Sequence, residues 1–482
     1  MHVKVIARLI GILTTFLGIS MAAPLLVSVI YDDTSTWALL ISLLITSSIG
    51  LILFILTRNQ KANQLSHRDG VAVVTFGWIT AGLFGTLPYL LSGAIPSFTN
   101  AYFESISGFT TTGATIFTDI ESLPEGILLW RSLTQWFGGM GIIVFSIAIL
   151  PLLGVGGMQL YRAEIPSPVV DKLKPRISET AKTLWKVYLL ITLLEVALLG
   201  LGGMSLFDAF CQAFCTMPTG GFSTKNASIA HFDNAYFHSV FIVFMLLAGI
   251  NFSLHYRLLN GDVKIFGKDP ECRAFLILVL SFTLIVTASI YGPVYSSLAN
   301  AFRHAAFQVS SIITTTGFVT ADYEQWPALS RLILLICMFL GAMAGSTGGG
   351  MKTMRIMLLM RHGYQEIFRI IHPHAVSTVK LGGRAVPSDI LSSIWGFFIL
   401  YLGLFIVAAL VMASLGLDMI SALSSVAASI GNIGPGLGIV GPVKNYLDIP
   451  FVGKWVLVLC MLLGRLEIYT VIVLLTPEYW RK

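Results

Sequence analysis

Four short tracts rich in threonine and glycine interrupt the apolar runs of this 482-residue chain, and they limit its fold more than any other feature. They occupy residues 110–115, 218–222, 314–318 and 431–436, at intervals of about a hundred residues. Aligning the tracts by eye pairs Gly113, Gly220, Gly317 and Gly434. One such tract is a turn, but four at regular spacing, each between apolar helices, predict four quarters arranged around one axis.

Composition places this arrangement in a membrane. Hydrophobic residues make up 55% of the chain and charged residues 11%, whereas soluble domains carry about 25% charged residues. At about 20 apolar residues per span, the sequence predicts ten transmembrane segments. They cover roughly residues 5–30, 37–57, 71–93, 127–150, 183–204, 235–253, 274–292, 329–360 (interrupted), 390–415 and 452–475.

Four shorter apolar segments lie between these spans, and each leads directly into one of the tracts. They cover about 98–111, 206–217, 297–314 and 418–431, and are too short to cross a bilayer. Most lysines and arginines fall at the termini and in loops 58–68, 158–186, 254–273 and 352–384. These loops share one side only if the short segments dip in and return. The positive-inside rule then predicts cytoplasmic termini and segments that enter from outside.

The expected fold is therefore an all-α polytopic membrane protein with a pseudo-fourfold pore. Two leading transmembrane helices occupy residues 1–69. Four repeats of span, pore helix, filter loop and span follow, at 70–157, 158–262, 263–384 and 385–482, the third containing the interrupted helix.

The tracts suit a dehydrated cation, which needs backbone carbonyls in place of water. Glycine permits the positive φ that turns carbonyls toward an axis, and short helices direct their negative C-terminal ends there. We expect Glu104, Asp208 and Asp418 near the outer ends of three of these helices. The alternative, packing of small residues between membrane helices, explains any one tract but poorly explains four.

Three motifs add a family resemblance: SGFTTTGAT at 107–115, QWFGGMG at 135–141 and AGSTGGGMK at 344–352. With the four tracts and two leading helices, they resemble the Trk/Ktr/HKT superfamily of potassium transporters over essentially the whole chain. The resemblance is closest to the membrane subunits of bacterial Trk potassium-uptake systems.

The resemblance implies potassium uptake across a bacterial inner membrane through a selectivity filter. The implied filter residues are Thr111, Thr112, Gly113, Pro218, Thr219, Gly220, Thr315, Thr316, Gly317, Asn432, Ile433 and Gly434. Serine in place of the first filter glycine is associated with sodium preference in the family, so Gly113 implies potassium as the substrate, with rubidium accepted. The fourth tract departs from the Thr-Thr-Gly pattern, which implies a less regular filter.

The eighth span is broken by glycines that cannot hold a helix, since each costs up to about 1 kcal/mol against alanine. A plain kink would explain them, but the resemblance implies an intramembrane gate. The implied gate residues are Gly345, Ser346, Thr347, Gly348, Gly349, Gly350, Lys352 and Arg465. Arg465 is expected in the permeation path, with a buried ion pair as the alternative. Glu195 is interpreted as structural, and Glu467 has no assigned role.

The resemblance also implies partners: a homodimer, surrounding membrane lipid, and a separate cytoplasmic TrkA-like ring that binds NAD or ATP. This chain is expected to bind no nucleotide, because Met351 interrupts the phosphate-loop pattern before Lys352. The placement of its basic residues reflects topology rather than a nucleic-acid surface. No clustered catalytic set indicates an enzyme. The remaining alternative is a secondary transporter that couples potassium entry to protons or sodium, which needs inverted repeats and mid-membrane charges.

Overall fold

The computed structural model describes residues 2–58, 67–153, 177–374, 378–382 and 384–481. The predicted basic loops 58–68 and 158–186 lie largely outside these residues. The first ten helices are α1 (Val3–Ser20), α2 (Ala22–Tyr31), α3 (Thr36–Thr57), α4 (His67–Gly85), α5 (Leu87–Leu91), α6 (Phe98–Phe109), α7 (Glu125–Leu153), α8 (Ile177–Leu201), α9 (Leu206–Thr216) and α10 (Ala235–Gly249).

The second half of the described chain is also almost entirely helical. Its helices are α11 (Phe252–Leu259), α12 (Ile265–Lys268), α13 (Pro270–Ile290), α14 (Leu298–Ile313), α15 (Ala328–Phe339), α16 (Thr353–Ile371), α17 (Ser388–Ser414), α18 (Met419–Ile430), α19 (Phe451–Arg465), α20 (Tyr469–Leu475) and α21 (Pro477–Trp480). Strands β1 (Lys380–Leu381) and β2 (Arg384–Ala385) form an antiparallel hairpin.

The predicted fold class, an all-α polytopic membrane protein, is confirmed. Within the described residues, six helices are long and apolar enough to cross a membrane, or eight if each bent pair is one span. The other two predicted spans correspond to α7, a helix of 29 residues, and to the interrupted pair α15 and α16. The short helices α6, α9, α14 and α18 have 11 to 16 residues. At 1.5 Å per residue they reach about 16–24 Å, less than the hydrocarbon core.

Two predicted continuous spans are bent. The sixth bends by 103° between α10 and α11, and the tenth by 119° between α19 and α20. At the first bend the backbone bonds to another segment instead of continuing the helix. Gly249 accepts from the Met343 amide at 3.0 Å, and the Phe252 amide donates to Gly345 at 3.1 Å. The tenth span breaks at Glu467 and Ile468, where φ is 59° and 40°.

The predicted interruption of the eighth span is longer than its glycines. Helix α15 ends at Phe339 and α16 begins at Thr353. We call residues 340–352 the glycine-rich break. The predicted basic loop 352–384 is mostly this second helix, and its first cations, Lys352 and Arg355, lie at the start of α16 rather than in a cytoplasmic loop.

The leading helices pack closely through small residues. A Cβ on Gly18 of α1 would collide with Ser47 of α3, and one on Gly50 with Thr15. Asp33, between α2 and α3, accepts a hydrogen bond from the Gly126 amide of α7 at 2.8 Å. The leading pair is thereby joined to the first of the four quarters.

Candidate functional site

The short helices α6, α9, α14 and α18 each end in a three-residue loop, and the four loops share one backbone conformation. The first residue of each loop has a positive φ although it is not glycine: Thr111 (52°), Thr219 (58°), Thr315 (61°) and Asn432 (54°). The third residue is a glycine with a positive φ: Gly113 (81°), Gly221 (78°), Gly317 (83°) and Gly434 (95°).

Hydrogen bonds to the preceding helix repeat with the same register. The amide of each middle residue donates at 2.8 Å to the carbonyl five residues earlier: Thr112 to Ser107, Gly220 to Cys215, Thr316 to Ser311 and Ile433 to Ala428. The four loops are therefore residues 111–113, 219–221, 315–317 and 432–434, which we call the four-loop ring.

This register corrects the predicted second filter loop by one residue. The prediction paired Pro218, Thr219 and Gly220 with 111–113, because it matched the first glycine of a Gly-Gly pair. The structure places Gly221 in the glycine position, with φ of 78°, whereas Gly220 is outside the positive-φ region. Pro218 stands at the end of the helix, in the place of Thr110 and Thr314.

The loops close into a ring because each third-position glycine faces the middle carbonyl of the next loop. A Cβ added to these glycines would collide with that carbonyl oxygen: Gly113 with Gly220, Gly221 with Thr316, Gly317 with Ile433, and Gly434 with Thr112. The contacts run from loop one to two, three, four and back to one. Glycine is thus required twice at each position, by its φ and by the approach of a carbonyl.

The backbone carbonyls of the ring are largely without protein donors. Within the described residues, two of the twelve accept a hydrogen bond: Gly220 from the Gln135 amide at 2.6 Å and Gly434 from the Tyr446 hydroxyl at 2.6 Å. Buried carbonyls are normally paired. A closed set of carbonyls lacking donors is the arrangement that replaces a cation's hydration shell.

The side-chain oxygens of the ring are used to hold the loops instead. The Thr112 hydroxyl lies 2.8 Å from that of Thr110 and accepts from the Asn432 amide at 3.0 Å. The Thr314 and Thr316 hydroxyls pair at 2.8 Å. Asn432 therefore bonds the fourth loop to the first, which is one chemical consequence of its difference from threonine.

A buried ion pair braces the ring from behind. Glu104 lies in the middle of α6 rather than at its outer end, as the sequence suggested. Its carboxylate accepts from Arg131 of α7 at 2.8 Å and from the Ile116 amide at 2.9 Å. Arg131 also donates to the Ser223 carbonyl at 3.0 Å and covers the Phe222 ring at 3.9 Å. The pair thus ties together the segments that leave the first and second loops.

The position of Glu104, seven residues before its loop, is polar in the next two quarters. Gln212 donates to the Ser223 hydroxyl at 2.8 Å, and Gln308 to the Thr320 hydroxyl at 3.3 Å. The same helix position therefore holds the outgoing segment each time. The sequence contained this signal, but it becomes visible only once the loop register is known.

Two of the predicted acidic residues lie at the helix ends where they were expected. Asp208 is in the first turn of α9, and its carboxylate accepts from the Thr224 hydroxyl at 2.6 Å. Asp418 caps α18, accepting from the Ile420 amide at 3.1 Å.

The glycine-rich break lies against the ring, at the side where the short helices end. The Gly349 amide donates to the Thr315 hydroxyl at 2.7 Å. The Thr347 hydroxyl donates to the Met217 carbonyl, at the end of α9, at 2.9 Å. A Cβ on Gly349 would collide with the Gly431 carbonyl. The break therefore contacts the second, third and fourth quarters.

Two cations hold the break in place. The Lys352 ammonium donates to the Gly348 carbonyl. The Arg465 guanidinium donates to the Thr347 carbonyl at 2.7 Å and to the Gly138 carbonyl of α7 at 2.7 Å. The structure thus brings Lys352 and Arg465 to the segment with which the sequence grouped them.

Two acids beside the break were missed or left unassigned. Glu271, at the start of α13, accepts from the amides of Ala344 at 2.8 Å and Met354 at 3.0 Å, so it joins both ends of the break. Glu467 pairs with Arg355 at 2.6 Å. Neither contact was readable from the sequence, because each partner lies on a different helix.

Comparison with known proteins gives three results. The chain matches the family model of TrkH, a cation transport protein, over residues 36–482. It is 44% identical over 488 residues to the Trk system potassium uptake protein TrkH of Escherichia coli (strain K12), with both chains covered completely. Its identity to TrkG of that strain is 36%, over 100% of this chain and 99% of TrkG. The crystal structure of the potassium transporter TrkH from Vibrio parahaemolyticus matches with a TM-score of 0.90 at 40% identity, over 100% of both chains.

Proposed function

Because this chain belongs to the TrkH family of cation transport proteins, which are transporters and not enzymes, we propose that it conducts potassium into a bacterial cell. The four-loop ring is the selectivity filter, in which potassium exchanges water for carbonyl oxygens. Rubidium, of similar size, passes as well. The observation that carries this proposal is the closed ring of buried loops whose carbonyls mostly lack protein donors within the described residues.

The filter is chemically uneven in this proposal. Gly220 and Gly434 have carbonyls that already accept hydrogen bonds, so they offer less charge to an ion than the others. The fourth loop also replaces two threonines with Asn432 and Ile433. Selectivity for potassium over sodium is therefore expected to be lower than in a filter made of four identical loops.

The glycine-rich break is the gate in this proposal. Its contacts with Met217, Thr315 and Gly431 place it where ions leave the filter. Lys352 and Arg465 add positive charge there, which opposes a cation until the break moves. The four quarters keep the bounds proposed from the sequence, 70–157, 158–262, 263–384 and 385–482.

The cellular setting is also part of the proposal. The subunit lies in the inner membrane with both termini in the cytoplasm, as the distribution of basic residues suggests. It forms a homodimer in lipid, and a TrkA-like ring that binds NAD or ATP docks on the basic face and moves the break. Nucleotide binds to that partner, not to this chain.

The test is ion flux into liposomes containing the purified protein. We expect Gly113→Ser to lower the potassium-to-sodium permeability ratio about tenfold, because a left-handed non-glycine residue costs about 1–2 kcal/mol and its Cβ would displace the Gly220 carbonyl. Gly93→Ser is the matched control, since Gly93 has a φ of 74° but nothing near its Cβ. It shares the backbone strain and leaves the ring intact, so its ratio should equal that of the wild type.

An unchanged ratio in Gly113→Ser, with normal flux, would remove the filter assignment. Equal losses in both variants would indicate general misfolding rather than a site at the ring.

A further inference from the structure

The middle position of the second loop lacks a side chain that the first and third loops have. Thr112 and Thr316 occupy this position in those loops, and Gly220 occupies it in the second. The space that a Cβ of Gly220 would take is filled by the side-chain amide of Gln135. Gln135 is completely buried and belongs to α7, in the first quarter. One quarter of the molecule thus supplies what the loop of the next quarter lacks.

Gln135 also bonds to both sides of Gly220. Its nitrogen donates to the Gly220 carbonyl at 2.6 Å, and its oxygen accepts from the Phe222 amide at 3.1 Å. The donor and the acceptor fix the orientation of the amide. The Gly220 carbonyl is the one that faces Gly113 in the ring, so Gln135 acts on an oxygen that lies between two loops.

Helix α7 holds the second loop at two levels. Arg131, four residues before Gln135 and on the same face of the helix, donates to the Ser223 carbonyl at 3.0 Å. That bond lies beyond the loop, whereas those of Gln135 lie within it. Gln135 is therefore the residue of α7 that directly sets the position of a ring carbonyl.

We propose that Gln135 is a positioning residue for ion selectivity, which replaces the missing threonine of the second loop and holds the Gly220 carbonyl. This inference rests on the proposed function of the ring as a filter. It predicts that selectivity depends on a side chain that does not touch the ion.

The experiment measures the potassium-to-sodium permeability ratio of the full-length protein in liposomes, together with thermal unfolding in detergent. Gln135→Met keeps the volume and removes both hydrogen bonds. We expect its ratio to fall about fivefold, the factor that corresponds to one hydrogen bond of ordinary net strength. A merely structural side chain would lower the unfolding temperature and leave the ratio unchanged, and this result would overturn the proposal.

A side-chain swap gives an independent test. Gly220→Thr alone should lose flux, because its side chain collides with the Gln135 amide. The double variant Gln135→Ala/Gly220→Thr restores to the second loop the residue found in loops one and three. We expect its ratio to return to within about twofold of the wild type, while Gln135→Ala alone remains low. A double variant no better than Gln135→Ala would overturn the proposal.

Failure of this inference differs from failure of the proposed function. If Gly113→Ser changes the ratio and the Gln135 variants do not, the ring is a filter that Gln135 does not tune. If Gly113→Ser also leaves the ratio unchanged, the filter assignment itself is lost.

Discussion

At the scale of single residues, the ring is unusual because it is strained. Thr111, Thr219, Thr315 and Asn432 all occupy the left-handed region, which costs a non-glycine residue about 1–2 kcal/mol. Such conformations persist only where the surrounding structure imposes them, and they concentrate at functional sites. Here the helix-end hydrogen bonds and the neighbouring loops impose the same strained conformation four times. This supports a site whose geometry matters more than its stability.

The register of the second loop leads to a prediction that distinguishes two adjacent glycines. Gly221→Ala should abolish selective flux, because Gly221 has a φ of 78° and its Cβ would collide with the Thr316 carbonyl. Gly220→Ala meets only the end of the Gln135 side chain and should keep measurable flux. The measurement is rubidium uptake into liposomes at equal protein content. A larger loss in Gly220→Ala than in Gly221→Ala would contradict the observed register.

At the scale of secondary-structure elements, the sequence predicted the spans better than their breaks. Hydrophobicity gave the four short helices and the interrupted eighth span, since length and glycine content are local properties. It missed the bends after Gly249 and Arg465, because apolar residues continue through both. The first bend is stabilised by backbone bonds from the glycine-rich break, and no local pattern records such a distant partner.

The candidate site was predictable to a similar degree. The tracts identified three of the four loops residue by residue, because each contains one glycine at the required position. The second contains Gly220 and Gly221, and sequence alone could not choose between them. The roles of Gln135 and Arg131 were also hidden, since their partners, Gly220 and Ser223, lie about 90 residues away along the chain.

The glycine-rich break gives a prediction at this scale. Deleting residues 348–350 removes the Gly349 bond to Thr315 and the Gly348 carbonyl that Lys352 holds. We expect higher potassium flux in liposomes without any cytoplasmic partner, because the obstruction beside the ring is shortened. Gly363→Ala in α16 is the control, since nothing lies near its Cβ, and its flux should match the wild type.

Unchanged flux in the deletion variant, with the potassium-to-sodium ratio preserved, would show that the break does not obstruct the path. Loss of the ratio would instead indicate that the break supports the filter. Together with the control, these outcomes separate gating from packing.

At the scale of the whole molecule, the ring depends on contacts between quarters that are far apart in sequence. The Tyr446 amide donates to the Thr115 carbonyl at 2.8 Å, joining the last quarter to the first. The Tyr323 hydroxyl donates to the Gly436 carbonyl at 3.0 Å, joining the third to the fourth. Each quarter therefore positions a loop that it does not own, and the site forms only when the whole chain has folded.

The leading helices attach to this assembly through Asp33, which gives a pH-dependent prediction. Burial disfavours the charged carboxylate, but hydrogen bonds from Ser28, Ser35 and Gly126 outweigh it and lower the pKa of Asp33 below its ordinary 3.8. A depressed folded-state pKa stabilises the fold above the unfolded value, and this stabilisation is lost as pH falls through the folded value. We therefore expect Asp33→Asn to lower the unfolding temperature in detergent at pH 7, with the difference from wild type shrinking below about pH 4. Asp32→Asn is the control, because Asp32 is exposed and asparagine accepts its left-handed backbone. A difference for Asp33→Asn that stays constant down to pH 3, or that Asp32→Asn reproduces, would show that the carboxylate does not join the leading pair to α7.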